Sequence, residues 1–368
     1  MPIDFHAHWI PAAVSAALRI RKKKPRLVRE ADGSETMDSP FFRVPLSAGF
    51  DDVPTRLAEM DRCGVTRAVL SLTSGYGFDS LPAKESAPLC RLYNDAVSEL
   101  CLEHPARFSA LAALPMADLD AAVAEFERAM KLPGMVGALI PGDAFLTAKR
   151  AERFSPLVAA ANKRSAVLLV HYGRLADDPH APTVEASDNG MIRYGTLDMQ
   201  TRLSANMVTF CLTDFLDQYP DVTMLSHNLG GNIAFEADRM DHRCMLETPG
   251  RELPSKRFKA ARVMVDCNSF GARQIELAVE VYGADKIVYG TDGTELGMNW
   301  SSDAIAQARI PKSAKAAILD GNAARVLARV KTAPVKKTAR PLARAATPRP
   351  TRPGTRATPQ RSHARAAR

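Results

Sequence analysis

Five histidine and aspartate residues of this 368-residue chain share one local setting, the end of a short apolar run. They are His6, His8, His171, His227 and Asp292. Parallel barrel strands carry their reactive side chains at their carboxyl ends, so this recurrence favours a fold in which all five meet at one face. Imidazole and carboxylate groups together suit a divalent ion of the zinc type, and three or more such ligands with an open position suit a catalytic ion. The sequence therefore predicts a metalloenzyme.

Around these residues, segments with a strand pattern alternate with segments of helical spacing. Strands are predicted to begin near residues 2, 66, 107, 135, 166, 222, 262 and 286. Amphipathic helices of about ten or more residues separate most of them, a pattern typical of βαβ units and a parallel sheet. Eight strands predict a closed α/β barrel of the (β/α)8, or TIM, type rather than a doubly wound sheet.

Two segments interrupt this alternation. Residues 9–50 follow the first strand without a sustained period, and we expect them to form an insertion or lid over the mouth of the barrel. Residues 172–197 are polar and contain glycine, and we expect them to lie over the active site. His6 and His8 are two positions apart in an extended segment, so both side chains face the same side. An H-x-H pair alone is also compatible with ordinary buried, hydrogen-bonded histidines.

Several classes of protein are disfavoured by what the sequence lacks. No G-x-G-x-x-G follows a strand and no G-x-x-x-x-G-K-[ST] is present, so nucleotide cofactors lose their usual binding motifs. No stretch of about 18 apolar residues occurs, and no charged and then apolar leader precedes the first strand. The six cysteines are scattered without a C-x-x-C pair, which favours a reduced compartment. We expect a cytoplasmic protein that does not contact a membrane.

The net charge of +8 comes from the C-terminal segment, residues 331–368. This segment holds 11 Lys or Arg and no Asp or Glu, so residues 1–330 carry 8 − 11 = −3. It mixes Pro, Ala, Thr and Arg with few large apolar side chains, so burial cannot offset the entropy of ordering it. We predict a barrel over residues 1–330 and a basic, disordered tail over residues 331–368. The tail could bind nucleic acid or an acidic partner, although it lacks aromatic residues for base stacking.

Longer motifs extend the pattern beyond the five residues. Residues 55–65 read TRLAEMDRCGV, residues 92–95 read LYND, residues 283–292 read GADKIVYGTD and residues 318–325 read ILDGNAAR. In this order the motifs resemble the amidohydrolase superfamily, in particular its branch of aminocarboxymuconate-semialdehyde decarboxylase and γ-resorcylate decarboxylase. The resemblance covers residues 2–328 and leaves the tail outside.

The resemblance implies roles for six residues. One divalent metal ion, most often zinc, would be bound by His6, His8, His171 and Asp292. His227 matches the family histidine that acts as general acid or base beside the metal, a role suited to an imidazole that titrates near neutral pH. Arg43 lies where relatives carry an arginine that binds a substrate carboxylate, but a surface arginine in the insertion is an equal alternative. Relatives are often homo-oligomers, so we expect one here.

These roles favour a metal-dependent carboxy-lyase that decarboxylates a small unsaturated or aromatic carboxylic acid. The main alternative is a metal-dependent hydrolase of an ester, lactone, amide or C–C bond, because the same ligands support both reactions. A third interpretation, from another class, is a barrel scaffold whose basic tail binds nucleic acid or an acidic protein. The sequence does not distinguish substrates within the first class.

Overall fold

The computed structural model describes residues 1–175, 188–268, 270–293 and 299–333. Its strands, in chain order, are β1 (Ile3–His8), β2 (Arg26–Arg29), β3 (Glu35–Asp38), β4 (Arg43–Leu46), β5 (Arg67–Ser71), β6 (Phe108–Ala112), β7 (Met135–Pro141), β8 (Val167–His171), β9 (Thr223–Ser226), β10 (Met264–Asp266) and β11 (Ile287–Val288). All eight predicted barrel strands are present, and three further strands fall within the predicted insertion. The predicted first strand is longer than expected, because it runs through both histidines.

Eight parallel strands form the barrel in the order β1-β5-β6-β7-β8-β9-β10-β11. The two ends of this sheet meet through backbone hydrogen bonds, from Phe5 N to Tyr289 O at 2.9 Å and from Asp292 N to His6 O at 2.8 Å. The strands are rich in Val, Leu, Ile and Ala and are buried on both faces, as expected where helices cover a parallel sheet. This confirms the predicted (β/α)8 barrel.

Helices connect the barrel strands and cover their outer side. They are α1 (Ala12–Ile20), α2 (Val53–Arg62), α3 (Ala83–Glu103), α4 (Leu119–Ala129), α5 (Ala148–Glu152), α6 (Ser155–Lys163), α7 (Gly190–Ile192), α8 (Met199–Cys211), α9 (Ile233–Glu247), α10 (Pro254–Ala260), α11 (Ala272–Tyr282), α12 (Asn299–Gln307), α13 (Lys312–Ala316) and α14 (Asn322–Arg329). Side-chain caps fix where some of them begin: Asp52 accepts from Thr55 N ahead of α2 and Asp118 accepts from Ala121 N ahead of α4.

The predicted insertion after β1 is confirmed, and it is more regular than the sequence indicated. It contains α1 and a three-stranded antiparallel sheet, β2-β3-β4, in which Leu27 pairs with Met37 and Met37 with Val44. This sheet contacts the loop after β5. A Cβ at Gly77, in that loop, would lie 2.9 Å from the ring of Pro40, which stands between β3 and β4. The insertion therefore packs against one of the loops at the mouth of the barrel.

Two helix boundaries differ from the sequence prediction. The helix expected over residues 205–219 is α8, which begins at Met199 and ends at Cys211, because a π-helical segment over Arg193–Asp198 leads directly into it. The closing helical region expected over residues 302–329 is divided into α12, α13 and α14, with a π-helical turn at Ala317–Gly321. Residues 334–368 of the predicted tail and residues 176–187 of the interrupting segment lie outside the described residues.

Candidate active site

Four of the five residues singled out in the sequence lie close together at the carboxyl ends of barrel strands. His6 and His8 lie in β1, His171 ends β8, and Asp292 lies four positions beyond the end of β11. One ligand atom of each of these four residues can be chosen so that all lie within 4.8 Å of one another. The structure thus brings together the residues predicted to bind the metal.

The Nε2 atoms of the three histidines point at one another. The Nε2 atom of His8 lies 3.1 Å from the Nε2 atoms of both His6 and His171, and 2.9 Å from Asp292 Oδ1. Asp292 Oδ1 is also 3.5 Å from His6 Nε2. Such a convergence of imidazole nitrogens and a carboxylate oxygen is the geometry in which a divalent ion takes its protein ligands.

Each histidine has its other ring nitrogen occupied by a partner. His6 Nδ1 is 2.9 Å from Asp266 Oδ2, His171 Nδ1 is 2.8 Å from the Tyr172 carbonyl, and His8 Nδ1 is 2.9 Å from Ser71 Oγ. Since the Ser71 hydroxyl donates to the Ala7 carbonyl, its oxygen accepts from His8. All three Nδ1 atoms therefore donate, and the three Nε2 lone pairs face the centre of the site. Lone pairs at such short separations need a cation between them, so the residues present fit a bound metal.

Burial and carboxylates determine the charge state of the site. Burial lowers the pKa of His8, and it lowers the pKa of His171 well below the usual range. Burial also opposes protonation of His6, but the carboxylates of Asp266 and Asp292 outweigh it and raise the pKa of His6 to about 9. Burial opposes ionisation of Asp292, yet the surrounding histidines hold its pKa well below the usual range. The same carboxylates that favour a proton on His6 favour a divalent cation.

His227 lies beside this cluster, directly after β9, and its side chain is buried. Its ring stacks on the ring of His171, with centroids 4.3 Å apart and planes 24° apart. The backbone N–H of Tyr172 donates to His227 Nδ1 at 3.3 Å, so the proton of a neutral ring lies on Nε2. That Nε2 atom is 3.7 Å from Asp292 Oδ2 and has no hydrogen-bond partner among the described residues. A buried donor is thus directed toward the cluster.

The backbone at the site adopts conformations that most residues avoid. Asp292 has a φ of +54°, and the two residues that follow His227, Asn228 and Leu229, both have a φ of +51°. Non-glycine residues in this region are strained and concentrate at functional sites. Gly290 is required by close packing, because a Cβ there would lie 2.9 Å from the Cβ of His6. The backbone conformation at Asp292 and the close packing of Gly290 on His6 together fix the positions from which these two side chains enter the site.

Asp266 is a site residue that the sequence analysis did not select. It ends β10 and is fully buried, and it accepts from His6 Nδ1 and from the backbone N–H of Asn268. Despite its burial, contact with His6 lowers its pKa. The signal was present in the sequence, because Asp266 closes an apolar run in the same way as the selected residues do. Asp4, which is also fully buried, accepts from Thr291 Oγ1 at 2.6 Å and does not contact a histidine ring of the cluster in the hydrogen bonds of the described residues.

Two arginines have contrasting positions. Arg43, predicted to bind a substrate carboxylate, begins β4 in the three-stranded sheet, is 55% exposed and donates to Glu30 at 2.6 Å. Its role in substrate binding stays a prediction. Arg56, which the sequence analysis did not select, is buried on α2 and donates from Nη1 to the carbonyl of Gly293, the neighbour of Asp292. Its Nε and Nη2 atoms are buried without a partner among the described residues.

The eight-stranded barrel and the cluster at its mouth define a (β/α)8 protein built around a site for a metal ion. The sequence profile of the amidohydrolase family matches residues 3–329, so this chain belongs to the amidohydrolase family. The match includes every residue proposed for the site and excludes the basic tail. No helix in the described part of the chain is long and apolar enough to cross a membrane.

Characterised relatives share this fold and part of the sequence. A γ-resorcylate decarboxylase from Rhizobium sp. (strain MTP-10005) is 25% identical over 266 residues, which cover 68% of this chain and 79% of the relative. The 5-carboxyvanillate decarboxylase of Sphingomonas paucimobilis has a similar structure, with a TM-score of 0.67 and 23% identity over 89% of this chain and 99% of that one. The dihydroxybenzoic acid decarboxylase of Polaromonas sp. JS666, with bound manganese, has a TM-score of 0.61 and 20% identity over 89% of this chain and 96% of that one.

Proposed function

We propose that this chain is a metal-dependent carboxy-lyase that removes carbon dioxide from a small aromatic carboxylic acid. The observation that carries the proposal is the buried Nε2 of His227, which has no partner among the described residues and lies beside the cluster of three histidines and one aspartate. A hydrogen-bond donor at that position can hold the water molecule that brings a proton to an aromatic carbon. The relatives named above support the substrate class, since they are decarboxylases of γ-resorcylate, 5-carboxyvanillate and dihydroxybenzoic acid.

The ligand set supports one divalent ion, held by His6, His8, His171 and Asp292. When bound, such an ion supplies positive charge that orients oxygen atoms of the substrate and offsets its negative charge. We propose zinc, because three imidazoles and one carboxylate suit it, although manganese is bound in one relative and the same ligands accept either ion. The metal content of the purified protein distinguishes the two.

The reaction needs one proton and the cleavage of one bond. A proton from solvent would reach the ring carbon that bears the carboxylate through a water molecule held by the Nε2–H of His227, and the resulting loss of aromaticity weakens the C–C bond to that group. The pair of electrons from the broken bond returns to the ring, and carbon dioxide leaves. The arene thus gains one proton from solvent, and the ring of His227 stays neutral throughout.

Substrate binding needs groups that recognise a carboxylate. Arg43 remains the arginine that we propose for this task, on the basis of its position in the sequence. In the described structure it pairs with Glu30, so a substrate carboxylate would have to replace Glu30 as its partner. The insertion that carries Arg43 packs on the loop after β5 at the mouth, which supports access to the site.

The test is release of carbon dioxide from γ-resorcylate and 5-carboxyvanillate by the purified, metal-loaded protein. We expect turnover of at least one of these acids, and we expect His227→Gln to lower kcat by about 10²- to 10⁴-fold while the metal content is unchanged. His242→Gln is the matched control, because His242 is exposed on α9. Ester or lactone hydrolysis without any decarboxylation would overturn the proposal in favour of a hydrolase.

Three further expectations remain predictions: that residues 331–368 form a separate disordered tail, that the protein is a homo-oligomer, and that it is cytoplasmic. Deletion of residues 331–368 tests the first together with the scaffold alternative. We expect the barrel of residues 1–330 to retain turnover. Loss of nucleic-acid or acidic-protein binding in the shortened chain, with turnover unchanged, would assign a separate binding role to the tail.

A further inference from the structure

The residue that follows the metal ligand His171 is bonded to two imidazoles. The carbonyl of Tyr172 accepts from His171 Nδ1 at 2.8 Å, and the backbone N–H of Tyr172 donates to His227 Nδ1 at 3.3 Å. The two bonds have opposite consequences. The first makes Nδ1 of His171 a donor and leaves its Nε2 lone pair for the metal, whereas the second makes Nδ1 of His227 an acceptor and puts its proton on Nε2.

We propose that Tyr172 is a positioning residue for the reaction, and that a closed ring of polar contacts holds its backbone in the one place that serves both histidines. This inference rests on the proposed function, because it concerns the hydrogen bond that the Nε2–H of His227 would donate during the reaction. Tyr172 acts through the orientation and tautomer of the two rings rather than by contact with the substrate. The closed set of contacts is called the Tyr172 contact ring, and its members are Tyr172, Asp198, Arg202, Asp143 and Gly173.

The ring begins at the side chain of Tyr172 and returns to the adjacent backbone. The Tyr172 hydroxyl donates to Asp198 Oδ2 at 3.3 Å, and Arg202 Nε donates to the same oxygen at 2.8 Å. Arg202 Nη1 then donates to both carboxylate oxygens of Asp143, at 2.9 and 3.0 Å. The backbone N–H of Asp143 donates to the Gly173 carbonyl at 3.1 Å, which closes the ring one residue after Tyr172.

Burial makes this ring sensitive to the loss of any member. Asp143 lies two positions beyond the end of β7 and its side chain is only 1% exposed, and the side chain of Arg202 on α8 is 17% exposed. Arg202 binds two carboxylates, that of Asp143 in the loop after β7 and that of Asp198 in the segment before α8. Its removal would leave Asp143 buried without that charge and would release Asp198 from Tyr172.

Close packing limits the same segment from the other side. A Cβ at Gly173 would lie 2.5 Å from the Cβ of Ser74, in the loop after β5. Residues 171–173 therefore lie between that loop and the other members of the Tyr172 contact ring. Small displacements of Tyr172 would change the bonds to both histidines at once, and catalytic rates are sensitive to displacements of about 1 Å.

The test compares Arg202→Met and Arg202→Lys with wild-type protein loaded with zinc, which is diamagnetic. The ¹⁵N chemical shifts of labelled histidine report the tautomer of His227 directly. We expect Arg202→Met to give a mixture of His227 tautomers and a kcat about 10- to 100-fold lower, with KM changed less than about threefold and about one zinc per chain retained. Arg202→Lys, which keeps the charge, should recover part of the lost kcat.

Two further variants keep the result unambiguous. Tyr172→Phe removes only the hydroxyl and serves if Arg202→Met does not fold, and we expect the same tautomer change with a smaller loss of kcat. Arg243→Met breaks an exposed Arg243–Glu247 pair on α9 and should leave His227 unchanged. An unaltered His227 tautomer in both Arg202→Met and Tyr172→Phe would overturn the proposal. The ¹⁵N measurement needs no turnover. If these variants change the His227 tautomer but the wild-type protein decarboxylates neither acid, the proposed function is rejected and the positioning role of the Tyr172 contact ring is retained.

Discussion

The mouth of the barrel and the three-stranded sheet of the insertion place pairs of charged residues in opposite environments. At the mouth, Asp266 and His6 are fully buried and bonded to each other. In the sheet, Arg43 is paired with Glu30 and the side chain is 55% exposed. Buried charges need specific partners, whereas exposed pairs contribute little because water and salt screen them. Substitutions of equal chemistry should therefore have large effects in one region and small effects in the other.

The largest effect is expected from removal of two ligands at the mouth. We expect His6→Ala/His8→Ala to reduce the metal content from about one equivalent to near zero and to abolish turnover, because a two-ligand remnant cannot hold the ion. Inductively coupled plasma mass spectrometry on both proteins measures this. His242→Ala on exposed α9 is the control. Equal metal content in wild type and double variant would disprove the shared site.

The second prediction compares one arginine from each region. Arg56→Met should lower the free energy of unfolding by about 3 kcal/mol, because it removes the charge beside buried Asp4 and the bond to the Gly293 carbonyl. Arg43→Met should leave it nearly unchanged, since it breaks only an exposed pair. Urea denaturation of the two variants and wild type gives both values. Similar values for the two arginines would refute the distinction between the regions.

The third prediction concerns the residue that orients a ligand. Asp266→Asn should weaken metal binding by about 10- to 100-fold, because an amide is a poorer acceptor for His6 Nδ1–H than a carboxylate. Competition with a chelator measures the affinity without any need for turnover. Asp61→Asn is the control, since Asp61 pairs with Arg107 on the surface. Unchanged affinity in Asp266→Asn would show that the bond to His6 does not tune the metal.

The fourth prediction uses two aspartates whose pKa values shift in opposite directions. Burial raises the pKa of Asp79, in the loop after β5, to about 7, although Ser74 Oγ donates to its carboxylate. The folded state therefore binds this proton more tightly than the unfolded chain, and the contribution of Asp79 to stability decreases as the pH rises from about 4 to 7. Lys24 and Arg26 lower the pKa of Asp38 in β3, so its contribution is present above about pH 4 and is lost below it.

Thermal unfolding as a function of pH should separate the two. Asp79→Asn should gain stability relative to wild type between pH 4 and 7, by about 2 kcal/mol at most. Asp38→Asn should be less stable than wild type at pH 7, and the difference should decrease as the pH falls toward 4. The same pH trend in both variants would contradict the opposite shifts. Their comparison thus sharpens the contrast between a buried carboxyl at the mouth and a paired carboxyl in the sheet.

The sequence was informative wherever a side chain closes an apolar strand. The eight strands, and the convergence of His6, His8, His171 and Asp292, follow from that pattern because the carboxyl ends of parallel strands meet. Asp266 carried the same signal and was not selected. The sheet of the insertion could not be predicted from periodicity, because its strands have four residues each and depend on pairing with one another. The bonds from Tyr172 to the two histidines involve its backbone, which no side-chain pattern specifies.

The smallest effect is expected for Arg43, the one sequence-selected site residue in the exposed sheet. If Arg43 binds the substrate carboxylate, Arg43→Ala should raise KM by about three- to tenfold at constant kcat, because an exposed cation adds only modest affinity. Glu30→Gln is the matched variant, since it leaves Arg43 without the carboxylate that would compete with substrate, and it should lower KM. Added salt should weaken both effects. An unchanged KM in both variants would remove Arg43 from the site and leave carboxylate binding to the residues at the mouth.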